Sequence, residues 1–218
     1  MKVKIFAKER PYLIDFINLL SKKTDNIELY IGKVGEEIPK KAFENECDIL
    51  FSYSSPWIIP SSILELTKTY NINFHPGSPE YPGSGCFSFA LYNNENTFGV
   101  TAHLMNTKVD TGKIIKVRRF PIYPEDTVKS LIDRTYFNMI LLAEEILNEL
   151  FETNKLEFSN ETWKRKPYTR KDLESLYCIK STNISKEELQ RIIRSTYYPP
   201  FLPYIIINGY KFVYTNES

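Results

Sequence analysis

Residues 72–115 of the chain read INFHPGSPEYPGSGCFSFALYNNENTFGVTAHLMNTKVDTGKII. The stretch begins with an apolar run that predicts a strand, and a loop rich in proline and glycine follows it. Because side chains alternate along a strand, Asn73 and His75 project from the same side near its end. A second predicted strand follows the loop, and the turn after it carries Asp110. We therefore expect an amide, an imidazole and a carboxylate to meet in one crevice.

The residues before this stretch alternate between strand spacing and helix spacing. Strands are predicted at residues 2–7, 26–31 and 48–53, helical spacing joins Leu13, Phe16, Ile17 and Leu20, and a short helix is expected around residues 63–67. Strands that alternate with helices favour an α/β fold with a mostly parallel sheet. Parallel sheets bind ligands beyond the carboxyl ends of their strands, so the loops after Tyr53 and Phe74 are predicted to hold the site.

The residues after this stretch complete the predicted first domain. Residues 113–120 predict a strand, and an apolar stripe from Val128 to Leu150 predicts a long helix that closes the domain. We expect a Rossmann-like catalytic domain at residues 1–155 and a short C-terminal extension at residues 156–218.

The periodic pattern weakens after Phe151, and the extension is predicted to contain one short helix and a β-hairpin. A basic stretch, KRKPYTRKDL, precedes a short helix expected near residues 187–194, and the chain ends in YIIINGYKFVY with four further residues. The pair Asn208-Gly209 accepts positive φ, which predicts a two-residue turn in a β-hairpin. We expect this apolar tail to cover a surface, such as that of a second copy in a homodimer.

Composition limits the classes of partner. Lys and Arg total 28 against 27 Asp and Glu, so the net charge of +1 provides no field that attracts nucleic acid. The 3 cysteines are odd in number and lack metal-ligand spacing, which favours a reducing compartment and no metal site. Since no apolar run is long enough to cross a bilayer, we expect a cytoplasmic protein without a membrane partner.

The predicted trio has both a structural and a chemical interpretation. A single histidine near a strand end is more often a satisfied structural residue than a catalytic one. As chemistry, the trio offers a titratable imidazole, an amide donor for a developing oxyanion, and a carboxylate that orients the imidazole. For His103, the other histidine, we expect a structural role.

Two motifs favour the catalytic interpretation of these residues over the structural one. Asn73, His75 and Pro76 match an N-x-H-P motif, and a second motif, G-V-T...D-x-G-x-I, is matched by Gly99, Val100, Thr101, Asp110, Gly112 and Ile114. Together with the flanking Ile58-Ile59-Pro60, this segment resembles the formyltransferase family, which includes methionyl-tRNA formyltransferase, glycinamide ribonucleotide transformylase and the sugar N-formyltransferases. The resemblance implies that Asn73, His75 and Asp110 are catalytic and that the formyl donor is 10-formyltetrahydrofolate.

The resemblance also implies where the ligands bind. Trp57, Ile58 and Ile59 lie where the family holds the pterin of its cofactor, and Val109 would face the pterin from the opposite side. For the substrate we expect contacts from the loop that follows His75. They are Gly77, Ser78, Pro79 and Tyr81, in a loop dense in turn-forming residues.

Departures from the family patterns favour one acceptor. Residues 6–11, FAKERP, contain no glycine where glycinamide ribonucleotide transformylase carries a glycine-rich phosphate turn. The balanced charge and the short extension disfavour tRNA, whereas Lys166–Leu173 resembles the C-terminal regions of sugar N-formyltransferases. We therefore expect an enzyme that formylates a dTDP- or GDP-linked amino-dideoxy sugar for O-antigen or a related glycan. A folate-binding module without activity and a deacylase stay open as alternatives.

Overall fold

The computed structural model describes residues 1–216. Its larger sheet has six strands in the order β2-β1-β3-β4-β5-β6. The strands are β1 Val3–Ala7, β2 Ile27–Ile31, β3 Cys47–Tyr53, β4 Thr67–His75, β5 Thr97–Leu104 and β6 Ile114–Pro121. The first four strands run parallel to one another, and β5 is antiparallel to both of its neighbours. The sheet is therefore mostly parallel, as the alternation of strands and helices predicts, and the expected α/β fold is confirmed.

Each face of the sheet is covered by its own apolar cluster. The helices are α1 Leu13–Ser21, α2 Ser61–Leu64, α3 Cys86–Tyr92, α4 Val128–Thr153, α5 Arg170–Tyr177 and α6 Lys186–Thr196, with a 3₁₀ turn at Lys40–Phe43. Strand β1 shows the division, because Val3 and Ile5 pack in the larger cluster with α1 and α4 while Phe6 packs in the smaller one. Burial on both faces explains why the sequences of the central strands are nearly continuous apolar runs.

Local signals fix the ends of the long helix. The Thr127 side chain accepts a hydrogen bond from the Ser130 backbone N–H, and the Ser130 side chain accepts one from the Thr127 N–H, which forms a capping box. At the other end Asn154 takes a left-handed conformation with φ of 55°. The predicted division at residue 155 falls just after this helix and stays a prediction.

The C-terminal extension forms a small sheet of its own in the order β7-β8-β9, where β7 is Cys178–Ile179, β8 is Tyr204–Ile207 and β9 is Tyr210–Val213. Strands β8 and β9 pair as the expected hairpin. Asn208 and Gly209 both have positive φ, at 51° and 82°, as a type I′ turn requires. The extension is not a free tail, since α6 packs against α3.

Two local predictions were wrong. The short helix ends at Leu64 rather than near Thr67, because residues 67–75 form β4. This strand pairs with β3 and is longer than the apolar run at residues 72–74 indicated. The basic stretch also contains the start of α5, where Thr169 and Asp172 form a capping box. Within residues 1–216, no helix has both the length and the apolar character needed to span a membrane.

Candidate active site

Strands β4 and β5 bring the first three polar side chains together. Asn73 and His75 lie two residues apart on β4, and His103 on β5 pairs directly with Asn73 in the antiparallel register. The Nδ2 atom of Asn73 lies 3.0 Å from Nε2 of His103. The alternation of side chains therefore places an amide and two imidazoles on one face of the sheet.

Asp110 joins this group from the turn after β5. Its backbone is left-handed, with φ of 45°, which is uncommon for a residue other than glycine and typical of functional turns. Its Oδ2 atom lies 3.2 Å from Nδ1 of His75 and accepts a 2.8 Å hydrogen bond from the Gly83 backbone N–H. Its Oδ1 atom lies 3.2 Å from Nε2 of His103 and 3.5 Å from Nδ2 of Asn73. A single buried carboxylate thus holds the whole cluster.

The surroundings of Asp110 keep it ionised. Burial raises its pKa, but the neighbouring His75 and His103 rings and the Gly83 N–H together outweigh burial and hold the pKa well below its usual range. Because the folded-state pKa is depressed, Asp110 contributes stability above the ordinary carboxyl pKa. That contribution is lost as the pH falls towards the folded-state value.

Both ring nitrogens of His75 face acceptors. Nδ1 faces the Asp110 carboxylate, and Nε2 lies 3.0 Å from the carbonyl oxygen of Tyr81. A neutral imidazole has one N–H and satisfies one of these acceptors, whereas an imidazolium donates to both. An imidazolium formed during general base catalysis would therefore find an acceptor for each of its N–H groups.

A pocket of about 380 Å³ opens beside this cluster, and Asn73, His75, His103 and Asp110 all line it. The loops after β1, β3 and β4 contribute to its walls, as expected for a ligand site beyond the carboxyl ends of parallel strands. Its lining mixes apolar side chains with a few convergent polar groups, which is the usual character of a small-molecule site. Within residues 1–216, no group of three or more His, Cys, Asp or Glu side chains is arranged to hold a metal ion.

The four predicted cofactor residues all line this pocket. Ile58 is 71% exposed and Val109 is 41% exposed, so two apolar side chains are open to a ligand. Trp57 is more constrained, because its indole N–H donates a 2.8 Å hydrogen bond to the Glu36 carbonyl and its ring fills the space where a side chain at residue 32 would be. Ile59 is buried in the smaller cluster. Their contact with a cofactor stays a prediction.

The four predicted substrate residues do not line the pocket. Gly77, Ser78, Pro79 and Tyr81 are buried beneath it, where the carbonyl groups of Gly77 and Tyr81 face Thr101 and His75. The same loop reaches the pocket further along, at residues 83–87. Contact of the four predicted residues with a substrate stays a prediction.

Several residues in or beside the pocket carried no strong sequence signal. His103, expected to be structural, is hydrogen-bonded into the cluster through Asn73 and Asp110. Arg10 and Tyr136 line the pocket from the loop after β1 and from α4. Trp163 of the extension packs its ring near both imidazoles. The direct pairing of Asn73 with His103 was available from the strand register, but the other contacts depend on long-range packing.

Comparison with known proteins places the chain among its relatives. The sequence model of the formyl transferase family matches residues 24–142, more than half of the chain. The GDP-perosamine N-formyltransferase of Brucella melitensis is 27% identical over 164 residues, which are 73% of this chain and 60% of that protein. The chain therefore spans less than two thirds of the length of this relative.

Two solved structures share the fold over nearly the whole chain. A sugar N-formyltransferase from Shewanella sp. superposes with a TM-score of 0.77 at 21% identity, over 98% of this chain and 96% of that one. An N-formyltransferase from Helicobacter canadensis, in complex with folinic acid and dTDP-3-aminofucose, superposes with a TM-score of 0.75 at 20% identity, over 96% and 85% of the two chains. With its sequence matched by the family model over more than half its length, the chain belongs to the formyl transferase family.

Proposed function

We propose that this chain transfers a formyl group from 10-formyltetrahydrofolate to the amino group of a nucleotide-linked amino-dideoxy sugar. The observation that carries the proposal is the ionised Asp110 held between two imidazoles and the Asn73 amide at the wall of a pocket. Such a group supplies a proton acceptor and hydrogen-bond donors, which acyl transfer to an amine requires.

The pocket fits a reduced folate. The exposed side chains of Ile58 and Val109 offer apolar contact to a flat ring, while the Ser54-Ser55 segment of the loop after β3 brings hydroxyl and backbone polar groups to the same space. A few polar groups beside apolar walls suit a pterin, which is flat and carries hydrogen-bonding edges. When bound, the cofactor supplies a formyl group ready for transfer.

The side chains of the cluster have distinct roles in this proposal. His75 accepts the proton that the attacking amine releases, and the resulting imidazolium donates to Asp110 and to the Tyr81 carbonyl. As the bond between the formyl group and the cofactor breaks, the same imidazolium would return that proton to the leaving nitrogen. Asn73 lies at the pocket wall, and turning one amide N–H away from Asp110 Oδ1, 3.5 Å distant, would direct it at the carbonyl oxygen where negative charge develops. Asp110 stabilises the protonated imidazole because the two groups are buried together and their attraction is only weakly screened.

Arg10 at the pocket wall, with two further cations near it, supports an anionic acceptor. Arg10 lines the pocket, and the pKa of Lys8 is lowered by burial and then by the nearby positive charges of Arg10 and Arg170. Arg170 begins α5, which the Ser84–Tyr168 backbone hydrogen bond holds against the pocket loop. In the described part of the chain, none of these three cations forms an ion pair. They are therefore available to a diphosphate.

The relatives favour a nucleotide sugar as that anion. The Brucella protein is named for GDP-perosamine, and the Helicobacter structure contains dTDP-3-aminofucose. We therefore propose a dTDP- or GDP-linked acceptor whose product serves O-antigen or a related glycan.

The first prediction is that purified protein with 10-formyltetrahydrofolate converts such a sugar to its N-formyl derivative, detected as a mass increase of one formyl group. Replacing Arg10 by Gln should raise KM for the nucleotide sugar about tenfold or more, since a hydrogen bond to a charged group contributes about 1.5–3 kcal/mol. Lys22→Gln is the matched control, because Lys22 caps the C-terminus of α1, does not line the pocket and is exposed. Its KM should equal that of the wild type.

Other outcomes identify the alternatives. Preferential formylation of methionyl-tRNA or of glycinamide ribonucleotide over a panel of amino sugars would overturn the acceptor assignment. Release of formate without an acceptor would indicate a deacylase. Folate binding without any product would indicate a module that has kept the fold and lost the activity.

The hairpin supports a proposal of homodimerisation. Strand β9 is the outer strand of the small sheet and has a free edge, and its residues Tyr210, Phe212 and Val213 are exposed. Exposed apolar edge strands pair readily with another chain. A second copy presents the same edge and the same side chains, which is the self-complementarity that a two-fold interface needs. We propose that β9 forms this interface.

The second prediction is that replacing Phe212 with Lys converts a dimer into a monomer, measured by light scattering after size-exclusion chromatography. Removing the residues after Thr196 should have the same effect. Ile14→Lys is the matched control, because Ile14 is an exposed apolar side chain on α1, far along the chain from the hairpin. A monomeric wild-type protein, or a dimer that survives Phe212→Lys, would refute the proposed interface.

A further inference from the structure

Trp163 connects the C-terminal extension to the catalytic cluster. Its ring centroid lies 5.0 Å from that of His103 and 5.8 Å from that of His75, and the indole plane is inclined by 88° and 72° to the two imidazoles. These are the distances and angles of edge-to-face aromatic packing. One indole ring therefore contacts both histidines of the cluster.

The position of Trp163 is fixed from three directions. Its indole N–H donates a 2.8 Å hydrogen bond to the carbonyl of Gly112, two residues after Asp110. The next residue, Lys164, donates its backbone N–H to the Pro79 carbonyl at 3.0 Å, in the loop after β4. Earlier in the segment, Ser159 donates its backbone N–H to the carbonyl of Ile115 at 2.9 Å. The segment is thus tied to both loops that build the active site.

This packing separates the histidines from water. His75 is 4% exposed and His103 is 2% exposed, whereas Trp163 is only half-buried. Trp163 does not line the pocket, so it leaves the ligand space open while it covers the imidazoles. Excluding water strengthens the hydrogen bonds and the charge interaction around Asp110 and limits rotation of the imidazole rings.

We infer that Trp163 is a positioning residue that holds His75 and His103 in their catalytic orientation and keeps water from them, so that the extension completes the active site. The indole acts through the two imidazoles and does not touch the reacting atoms. This role rests on the proposed formyl transfer for its effect on rate, but its effect on the histidines is measurable without any reaction.

The test compares three variants by kinetics and by NMR. Trp163→Ala should lower kcat at least tenfold with little change in KM for the cofactor, because small displacements of catalytic groups cost up to about 10²-fold. Trp163→Phe keeps an aromatic ring and should recover most of the rate. Phe158→Ala is the matched control, since Phe158 is a partly buried aromatic of the same segment that packs on Lys113 and does not stack on either histidine. Its kcat should match the wild type even where its stability falls.

The NMR measurement uses the fact that the chain has only 2 histidines. Their ring N–H protons should exchange slowly with water in the wild type and in Trp163→Phe and Phe158→Ala, and rapidly in Trp163→Ala. If Trp163→Ala does not fold, Trp163→Leu, which keeps apolar volume without a ring, takes its place. Slow exchange and full kcat in the variant without a ring would overturn the inference. A wild type that shows protected ring protons but transfers no formyl group would refute the proposed function and not the positioning role.

Discussion

His75→Ala, Asn73→Ala and Asp110→Ala are each expected to lower kcat for formyl transfer at least about 10²-fold, which is the cost of removing an oxyanion donor or a general base. Each change removes a different function: the proton acceptor, the amide donor and the charge that stabilises the imidazolium. KM for the cofactor should change much less, because these groups act on the reacting atoms.

The three losses should not add. Asp110 contacts both His75 and Asn73, so each single change already disturbs the other members of the cluster. A triple variant is therefore expected to be little slower than the slowest single variant, as found for groups that act as one unit. Measuring kcat for the singles, doubles and triple under saturating cofactor gives the coupling between them.

Matched controls separate this effect from general damage. Asn26→Ala and Asp25→Ala replace the same residue types in the exposed turn before β2, at the opposite edge of the sheet, and should leave kcat unchanged. Urea denaturation of every variant checks that the fold persists. Near-wild-type turnover in any one of the three would remove that residue from the proposed mechanism.

Most strand positions along the chain were predictable, because strands buried on both faces of a parallel sheet form apolar runs separated by polar turns. The long helix was predictable for a similar reason, since its apolar stripe and the capping pair Thr127 and Ser130 agree. Helix α3 gave no such signal. It is seven residues long and buried on most sides. It therefore lacks the alternation of apolar and polar faces from which a helix is predicted.

The site was predictable in part. Alternation along β4 alone places Asn73 and His75 on one side, and both lie there. The position of Asp110 beside His75 could not be predicted from sequence spacing. It depends on a left-handed turn whose geometry no single residue specifies. The contact of Trp163 with the histidines joins residues about 60 to 90 positions apart, and only the packed structure determines such contacts.

Gly112→Ala is expected to cause the largest loss of stability of any single methyl group added near the site. A Cβ atom at residue 112 would lie 1.7 Å from the carbonyl oxygen of Leu104. The backbone of Leu104 cannot move away easily, because Leu104 pairs with Ile72 in the sheet and its N–H donates to the Lys113 carbonyl. Forcing atoms into a packed site costs about 1–3 kcal/mol and sometimes more, so we expect the free energy of unfolding to fall by about 3 kcal/mol or more.

Gly35→Ala is the matched control for this prediction, and it separates lack of space from backbone strain. Gly35 has φ of 93° with nothing within 4 Å of an added Cβ, so alanine there costs only the left-handed conformation, about 1–2 kcal/mol. The Leu104 carbonyl also lies 2.8 Å from Nδ1 of His103, and the Gly112 carbonyl accepts the Trp163 indole N–H. The strain in Gly112→Ala should therefore reach the catalytic cluster and lower kcat as well as stability, whereas Gly35→Ala should lower stability alone. Equal urea midpoints for the two variants would show that Leu104 moves to make room for the added Cβ atom. In that case the short distance to the Leu104 carbonyl would not explain why residue 112 is glycine.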